Sequence, residues 1–303
     1  MLLRQHGRSL VVRTPAKLNL FLEILGRRHD GFHELETLMV TVGIHDTLTF
    51  TEEVSGEIRL RCFWSTSPET SAGAVDSDVP DGRQNLVFRA AELLQNHAGV
   101  ARGVRIELNK RIPVAAGLAG GSSDAAATLM ALNRLWQVGL TTAELQRLAS
   151  QLGSDVGFFL GDTSAAICRG RGERVEPLAL PLGLQFVIAR PAGGLSTALV
   201  YRHCRPAEEP TNCSRLVEYL KQGRLGDAGR QFYNALQEPA EQLNPDVMVL
   251  KTFFSNQPVL GHLMSGSGSA YFGLCANRRQ AHSVAARLRG EMGCRVYVAQ
   301  SGP

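Results

Sequence analysis

The stretch "IPVAAGLAGGSSDAAATLMALNRLW" (Ile112 to Trp136) limits the fold more than any other part of the chain. It follows a strand-like run, "GVRIELNK", and passes through Gly117, Gly120 and Gly121 into a segment with helical patterning. From Ser123 onward Ala126, Leu129, Met130, Leu132 and Leu135 recur at intervals of three and four, the spacing that gives a helix one apolar face. Ser122, Ser123 or Asp124 can supply the N-cap. The first turn of such a helix leaves backbone N–H groups unpaired and carries partial positive charge. Glycines ahead of it let the chain turn further N–H groups inward around an anion. The sequence therefore predicts strand, anion-binding loop and helix. A plain glycine turn before a capped helix fits the spacing equally well.

Two common phosphate loops are excluded. Gly121 is followed by Ser122 and Ser123 without the lysine of a Walker loop, and the glycines lack G-x-G-x-x-G spacing. Around this segment the patterning is mixed. "SLVVRTPAKLNLFLEILG" reads as two strands broken at Thr14-Pro15, and Asp30-Gly31 marks a turn into a further strand. The Ser-, Pro-, Gly- and Asp-rich run from Trp64 to Gln84 reads as a long exposed loop, partly mobile. "NLVFRAAELLQNHAG" reads as a helix capped by Asn85 and ended at Gly99. Thr141 and Glu144 have capping-box spacing ahead of a helix ending at Gly153. Beyond it, "GRQFYNALQEPAEQL" reads as helix, "GHLMSGSGSAYFGLC" as strand, turn and strand, and "CRVYVAQ" as a closing strand. Runs of strands and runs of helices in this order predict an α+β fold of two domains, 1–165 and 166–303.

Of 303 residues, 32 are basic and 28 acidic, interleaved with no long run of one sign, which argues against a nucleic-acid partner. The six cysteines form no CxxC pair and no zinc-like spacing with histidine, so free thiols are expected and no metal site is read. No apolar stretch has the length of a membrane span, and a cytoplasmic location without membrane association is expected.

"PVAAGLAGGSSDAAA" resembles the phosphate-loop motif of the kinase superfamily that contains galactokinase, homoserine kinase and mevalonate kinase. "PAKLNLFLEILGRRHDGFHEL" and "HLMSGSGSAYFGL" resemble its N-terminal and C-terminal motifs, in the order the superfamily has them. "AKLNLFL", "RRHDGFHEL" and "LGSDVGFFL" together are similar to the 4-diphosphocytidyl-2-C-methyl-D-erythritol kinases within it, and the likeness runs from about Pro15 to about Leu274.

The resemblance implies a ribosomal-protein-S5-like nucleotide domain, a C-terminal α+β domain and an active site in the cleft between them. It implies transfer of the γ-phosphoryl group of ATP, accompanied by Mg2+, to the 2-hydroxyl of a small cytidylyl sugar alcohol in non-mevalonate isoprenoid synthesis. Lys17 and Asp155 match the superfamily's catalytic pair. Pro113, Val114, Ala115, Ala116, Gly117, Leu118, Ala119, Gly120, Gly121, Ser122 and Ser123 match its phosphate loop, with alanines where many relatives have glycine. Asn19, Phe32, His33, Thr197 and Tyr201 match the substrate side. Phe32 stands where tyrosine is usual, keeping a stacking face but losing a hydroxyl. Asn234 and Glu238 are expected on a helix without a role. A monomer or homodimer is expected. The alternatives are another kinase of the superfamily, acting on homoserine or mevalonate, a non-catalytic nucleotide sensor, or an RNA-binding module on the same fold.

Overall fold

The computed structural model describes residues 1–7, 9–65, 82–161, 163–180 and 183–302. Most of the loop expected from Trp64 to Gln84, residues 66–81, lies outside the described residues.

The first sheet grows from a hairpin of two long strands, β2 (Ser9–Arg27) and β3 (His33–Glu53), joined by the turn at Asp30-Gly31. Gly31 has φ 84°, a left-handed value that costs glycine little. β1 (Leu2–His6) adds to the outer edge of β2, while β5 (Gly103–Lys110) and β4 (Ile58–Trp64) extend the sheet beyond β3. The break expected at Thr14-Pro15 does not occur. β2 runs through it, with a register shift between Pro15 and Ala16. The jump from Pro15 opposite His45 to Ala16 opposite Val42 leaves Gly43 and Ile44 of β3 out of the ladder, and at such an irregularity a proline, which has no N–H to offer, is tolerated.

Four helices cover one face of this sheet: α1 (Leu86–Ala98), α2 (Gly120–Leu135), α3 (Thr142–Leu152) and α4 (Val156–Leu160). Two of the expected caps form as read. The Asn85 side chain accepts from Val87 N, with Gly99 left-handed at the far end of α1, and Thr141 and Glu144 cap reciprocally at the start of α3. Each such cap contributes about 1 kcal/mol. Val87, Leu94, Ile106, Leu129, Trp136 and Phe158 are buried together beneath the helices.

The second sheet is antiparallel, in the order β10 (Gly261–Met264), β11 (Tyr271–Cys275), β8 (Gln185–Arg190), β12 (Arg295–Gln300). The helices α8 (Gln237–Leu243), α9 (Pro245–Ser255) and α10 (Arg278–Glu291) share its outer core. Its other face meets the first sheet, where Leu18, Leu20, Val40 and Val42 pack with Phe186, Ile188 and Phe272. β2 thus runs between helices and a second sheet, so residues 14 to 24 are all buried and the usual alternation is lost.

A division at 165/166 cuts across the first sheet. β6 (Ala165–Gly170) pairs with β3, and β7 (Arg174–Pro177) pairs with β6, so the sheet keeps the chain until Pro177. The second half also returns to it. Tyr233–Asn234 forms a short strand, β9, beside β2, where a helix was expected, and Ser301 bridges to Val42. Among the described residues no helix is long and apolar enough to cross a membrane.

Candidate active site

Lys17 and Asn19 sit in the middle of β2, 3% and 2% exposed. The Lys17 ammonium donates to Asn19 Oδ1 and, at 2.9 Å, to the carbonyl of Gly117. Its distance to Asp155 Oδ2 is 3.6 Å. Asn19 Nδ2 in turn donates to Thr37 Oγ1 at 2.8 Å, and that hydroxyl donates to Phe21 O at 2.6 Å, so the amide cannot flip without losing partners. Burial lowers the Lys17 pKa, and the Asp155 carboxylate opposes that shift. Asp155 occupies the N-cap position of α4 but makes no capping bond, and its side chain remains 33% exposed. The ammonium is held behind and the carboxylate stands in front, facing the cleft.

The loop crosses directly above this pair. Ala115 and Ala119, with φ 51° and 55°, and Gly117, with φ 73°, are left-handed, whereas Gly120 and Gly121 already lie in α2. The three glycines were expected to provide the loop's freedom; two alanines share that work with Gly117 instead. α2 therefore begins at Gly120 rather than near Ser123, behind a left-handed Ala119 and with no side-chain cap. Ser122, Ser123 and Asp124 all lie inside the helix. The N–H groups of Gly120, Gly121 and Ser122 open the first turn and have no carbonyl four residues back within the helix.

Two loop residues expected at the ligand do not line the cleft. Ser123 is fully buried, with its hydroxyl donated to Pro15 O at 2.7 Å and its N–H bonded to Ala119 O. Leu118 is buried as well, its carbonyl accepting from Lys17 N at 3.1 Å. Gly120 is needed for space, since a Cβ there would come 2.8 Å from Ile112 Cγ2.

The turn between β10 and β11 braces the loop from behind. Ser265 Oγ donates to Gly117 O at 3.0 Å, and a Cβ on Gly117 would come within 1.9 Å of Ser265 O. A Cβ on Gly266 would lie 3.1 Å from Lys17 Nζ. Asn234, expected on a helix without a role, donates from β9 to Met264 O at 2.9 Å and to Gly266 O at 2.8 Å. Its importance depends on contacts about thirty residues away, which local spacing does not reveal.

One cavity of about 1310 Å3 connects these parts. At one end, Phe32 and His33 follow the Gly31 turn, where Asp30 Oδ1 accepts from Phe32 N at 3.1 Å. The His33 ring lies 5.4 Å from that of Tyr201, on α5 (Thr197–His203). Phe32 is 50% exposed, with the Arg171 guanidinium 4.7 Å from its ring centre, a cation–π contact the sequence reading missed. Burial, then the charge of Arg27, lowers the His33 pKa; burial, then Asp155, raises that of Tyr201. Thr197 Oγ1 lies 2.8 Å from Ser267 Oγ, tying α5 to the glycine turn. At the other end the walls are Asn85, Leu86, Leu108 and Lys110. The expected residues Lys17, Asn19, Phe32, His33, Asp155, Thr197 and Tyr201 all line the cavity, as do Pro113 to Gly117 and Ala119 to Ser122. No cluster of three or more His, Cys, Asp or Glu suited to a metal ion occurs among the described residues.

The space has an aromatic end, an end walled by Asn85, Leu86, Leu108 and Lys110, and the Lys17–Asp155 pair in its lining. The GHMP kinases N terminal domain model matches residues 85–170, and the GHMP kinases C terminal model matches residues 216–293. The 4-diphosphocytidyl-2-C-methyl-D-erythritol kinase of Pelotomaculum thermopropionicum is 45% identical, over 90% of this chain and 92% of its own length. That of Bacillus mycoides is 39% identical, over 93% of each. A crystal structure of 4-(cytidine 5'-diphospho)-2C-methyl-D-erythritol kinase superposes with a TM-score of 0.77 at 37% identity, covering 97% of this chain and 99% of its own. A homoserine kinase from Cytophaga hutchinsonii, 19% identical, shares the fold with a TM-score of 0.74, over 99% of this chain and 96% of its own. The chain belongs to the 4-diphosphocytidyl-2-C-methyl-D-erythritol kinase family of the GHMP kinases.

Proposed function

We propose that the protein transfers the γ-phosphoryl group of ATP to the 2-hydroxyl of 4-diphosphocytidyl-2-C-methyl-D-erythritol, a step of non-mevalonate isoprenoid synthesis. The observation that carries this reading is the placing of Lys17 and Asp155, 3.6 Å apart, between a backbone anion loop and an aromatic pocket. The triphosphate lies along the loop from Pro113 to Ser122 and meets the N-terminal N–H groups of α2. Phe32 and Tyr201 hold the cytosine, with His33 at its edge, and Asn19 and Thr197 position the sugar alcohol.

The hydroxyl oxygen forms a bond to the γ-phosphorus as the bond to the β–γ bridging oxygen breaks, and ADP leaves. Asp155 accepts or orients the hydroxyl proton. Lys17 faces the Asp155 carboxylate and balances charge building on the transferring group. No cluster of three or more His, Cys, Asp or Glu stands ready for Mg2+ among the described residues; the ion would come with the phosphates and would neutralise charge there. We place the enzyme in the cytoplasm as a monomer or homodimer with no nucleic-acid partner.

A phosphoryl-transfer assay with ATP against the cytidylyl erythritol, homoserine and mevalonate tests this. Turnover of the cytidylyl substrate alone is expected; turnover of either other acceptor at a comparable kcat/KM would overturn the assignment.

A further inference from the structure

The phosphate loop leaves the first sheet at the end of β5 and returns to it as α2. One side chain outside both segments ties the two ends together. The ladder between β3 and β5 stops at Thr47 opposite Asn109. Past that pair Asp46, the adjoining residue of β3, takes over from the ladder. Its Oδ1 accepts from Arg111 N and, at 2.8 Å, from Ile112 N. Its Oδ2 accepts from the Lys110 ammonium, which also donates, at 2.8 Å, to Asp124 Oδ2 on α2. Lys110 and Asp124 stand 14 positions apart, and the whole loop lies between them.

These are not surface pairs. Asp46 is fully buried, and Lys110 and Asp124 are 3% and 1% exposed. Charges held out of water persist where hydrogen bonds fix each of them. Burial works against the Lys110 ammonium, but Asp124 and Asp46 outweigh it and hold its pKa above the ordinary lysine value. Gly120 leaves the ammonium its place, since a Cβ there would come 3.2 Å from Nζ. Lys110 and Asp124 reach the cavity wall and Asp46 does not, so Asp46 can act on a ligand only through the loop.

We infer that Asp46 is a positioning residue for phosphoryl transfer: its Oδ1 holds the N–H groups of Arg111 and Ile112, and so sets the entrance of the phosphate loop against the first turn of α2. This rests on the kinase reading above. Lys17 and Ser265 hold the loop at Gly117 and Leu118, near its middle. Asp46 holds the end that they do not reach. A loop freed there meets the triphosphate out of register, and a misplacement of about 1 Å can cost about 10²-fold in rate.

Two variants of the full-length chain separate the acceptor from the charge. Asp46→Asn keeps an oxygen for the two N–H groups and loses the negative charge; Asp46→Ala loses both. Asp46→Ala should weaken binding of inorganic tripolyphosphate, read by calorimetry, by about tenfold. It should raise KM for ATP, lower kcat by about 10²-fold and leave KM for the cytidylyl substrate unchanged. Asp46→Asn should rescue tripolyphosphate binding to the parental value. An alanine variant that binds tripolyphosphate as the parent does, or whose KM rises equally for both substrates, overturns the inference. So does an asparagine variant as weak as the alanine one. If the alanine variant does not fold, Asp46→Asn decides alone: parental tripolyphosphate binding supports the acceptor role, and weakened binding overturns it. A parent that binds tripolyphosphate but phosphorylates none of the three acceptors overturns the kinase reading instead, and the binding data then decide the role of Asp46.

Discussion

Asp155 stands at the start of a short helix that it does not cap, and this leaves its carboxylate open to the cavity. Asp155→Asn should lower kcat by about 10²- to 10⁴-fold and leave the Kd for ATP nearly unchanged; unchanged turnover would remove Asp155 from the mechanism. Lys17 acts as a cation, and burial lowers its pKa, so at saturating substrates kcat should fall as pH rises through a value below the ordinary lysine range. Lys17→Arg, which does not titrate there, should abolish that basic limb at whatever rate survives. Phe32 supplies an exposed stacking face, so Phe32→Ala should raise KM for the cytidylyl substrate about tenfold and leave KM for ATP almost unmoved. Equal effects on both would make Phe32 a packing residue. That Lys17, Asp155, Phe32 and His33 share one cavity was legible because ordered motifs mark them. Arg171 and Asn234 were not, because each works through a partner far along the chain.

At the scale of elements, what is local in space was legible, and what depends on distant partners was not. Asn85, Gly99 and the Thr141–Glu144 pair act within one turn of their own helices and could be read from spacing. The start of α2 could not. Its first residue follows an alanine in the left-handed region, and no capping residue announces it. Likewise β2 passes Pro15 because β3 takes up the register shift, and β9 consists of two residues that exist as a strand only beside β2. An L-residue in the left-handed region costs about 1–2 kcal/mol, part of which glycine returns through its freer unfolded chain. Ala119→Gly should therefore raise the unfolding free energy by about 1 kcal/mol, read from urea titrations at constant m. A decrease would show that the Ala119 methyl contributes more through packing than its backbone costs.

The whole molecule is joined by the layer in which Leu18 and Val40 of one sheet meet Phe186 and Phe272 of the other. The two sheets should unfold together. The two tryptophans, Trp64 and Trp136, both belong to the first half. Phe272→Ala, in the second sheet, should destabilise by about 3–5 kcal/mol and shift the tryptophan fluorescence and circular dichroism midpoints by the same amount. Two separated transitions would mean that each half folds alone. The α+β class was legible from the mixed order of elements. The return of β9 and Ser301 to the first sheet was not, since no local pattern encodes a late segment coming back.

The seating of Gly117 against Ser265 also sets an order in time. A ribosome makes the phosphate loop first and its backing turn almost 150 residues later. Until the segment from Ser265 to Tyr271 has emerged, the loop has its Lys17 contacts to Gly117 O and Leu118 O but lacks this second support. A transcript truncated before that turn therefore yields a product whose loop lacks the bonds from Ser265 to Gly117 and from Ala270 to Ala116.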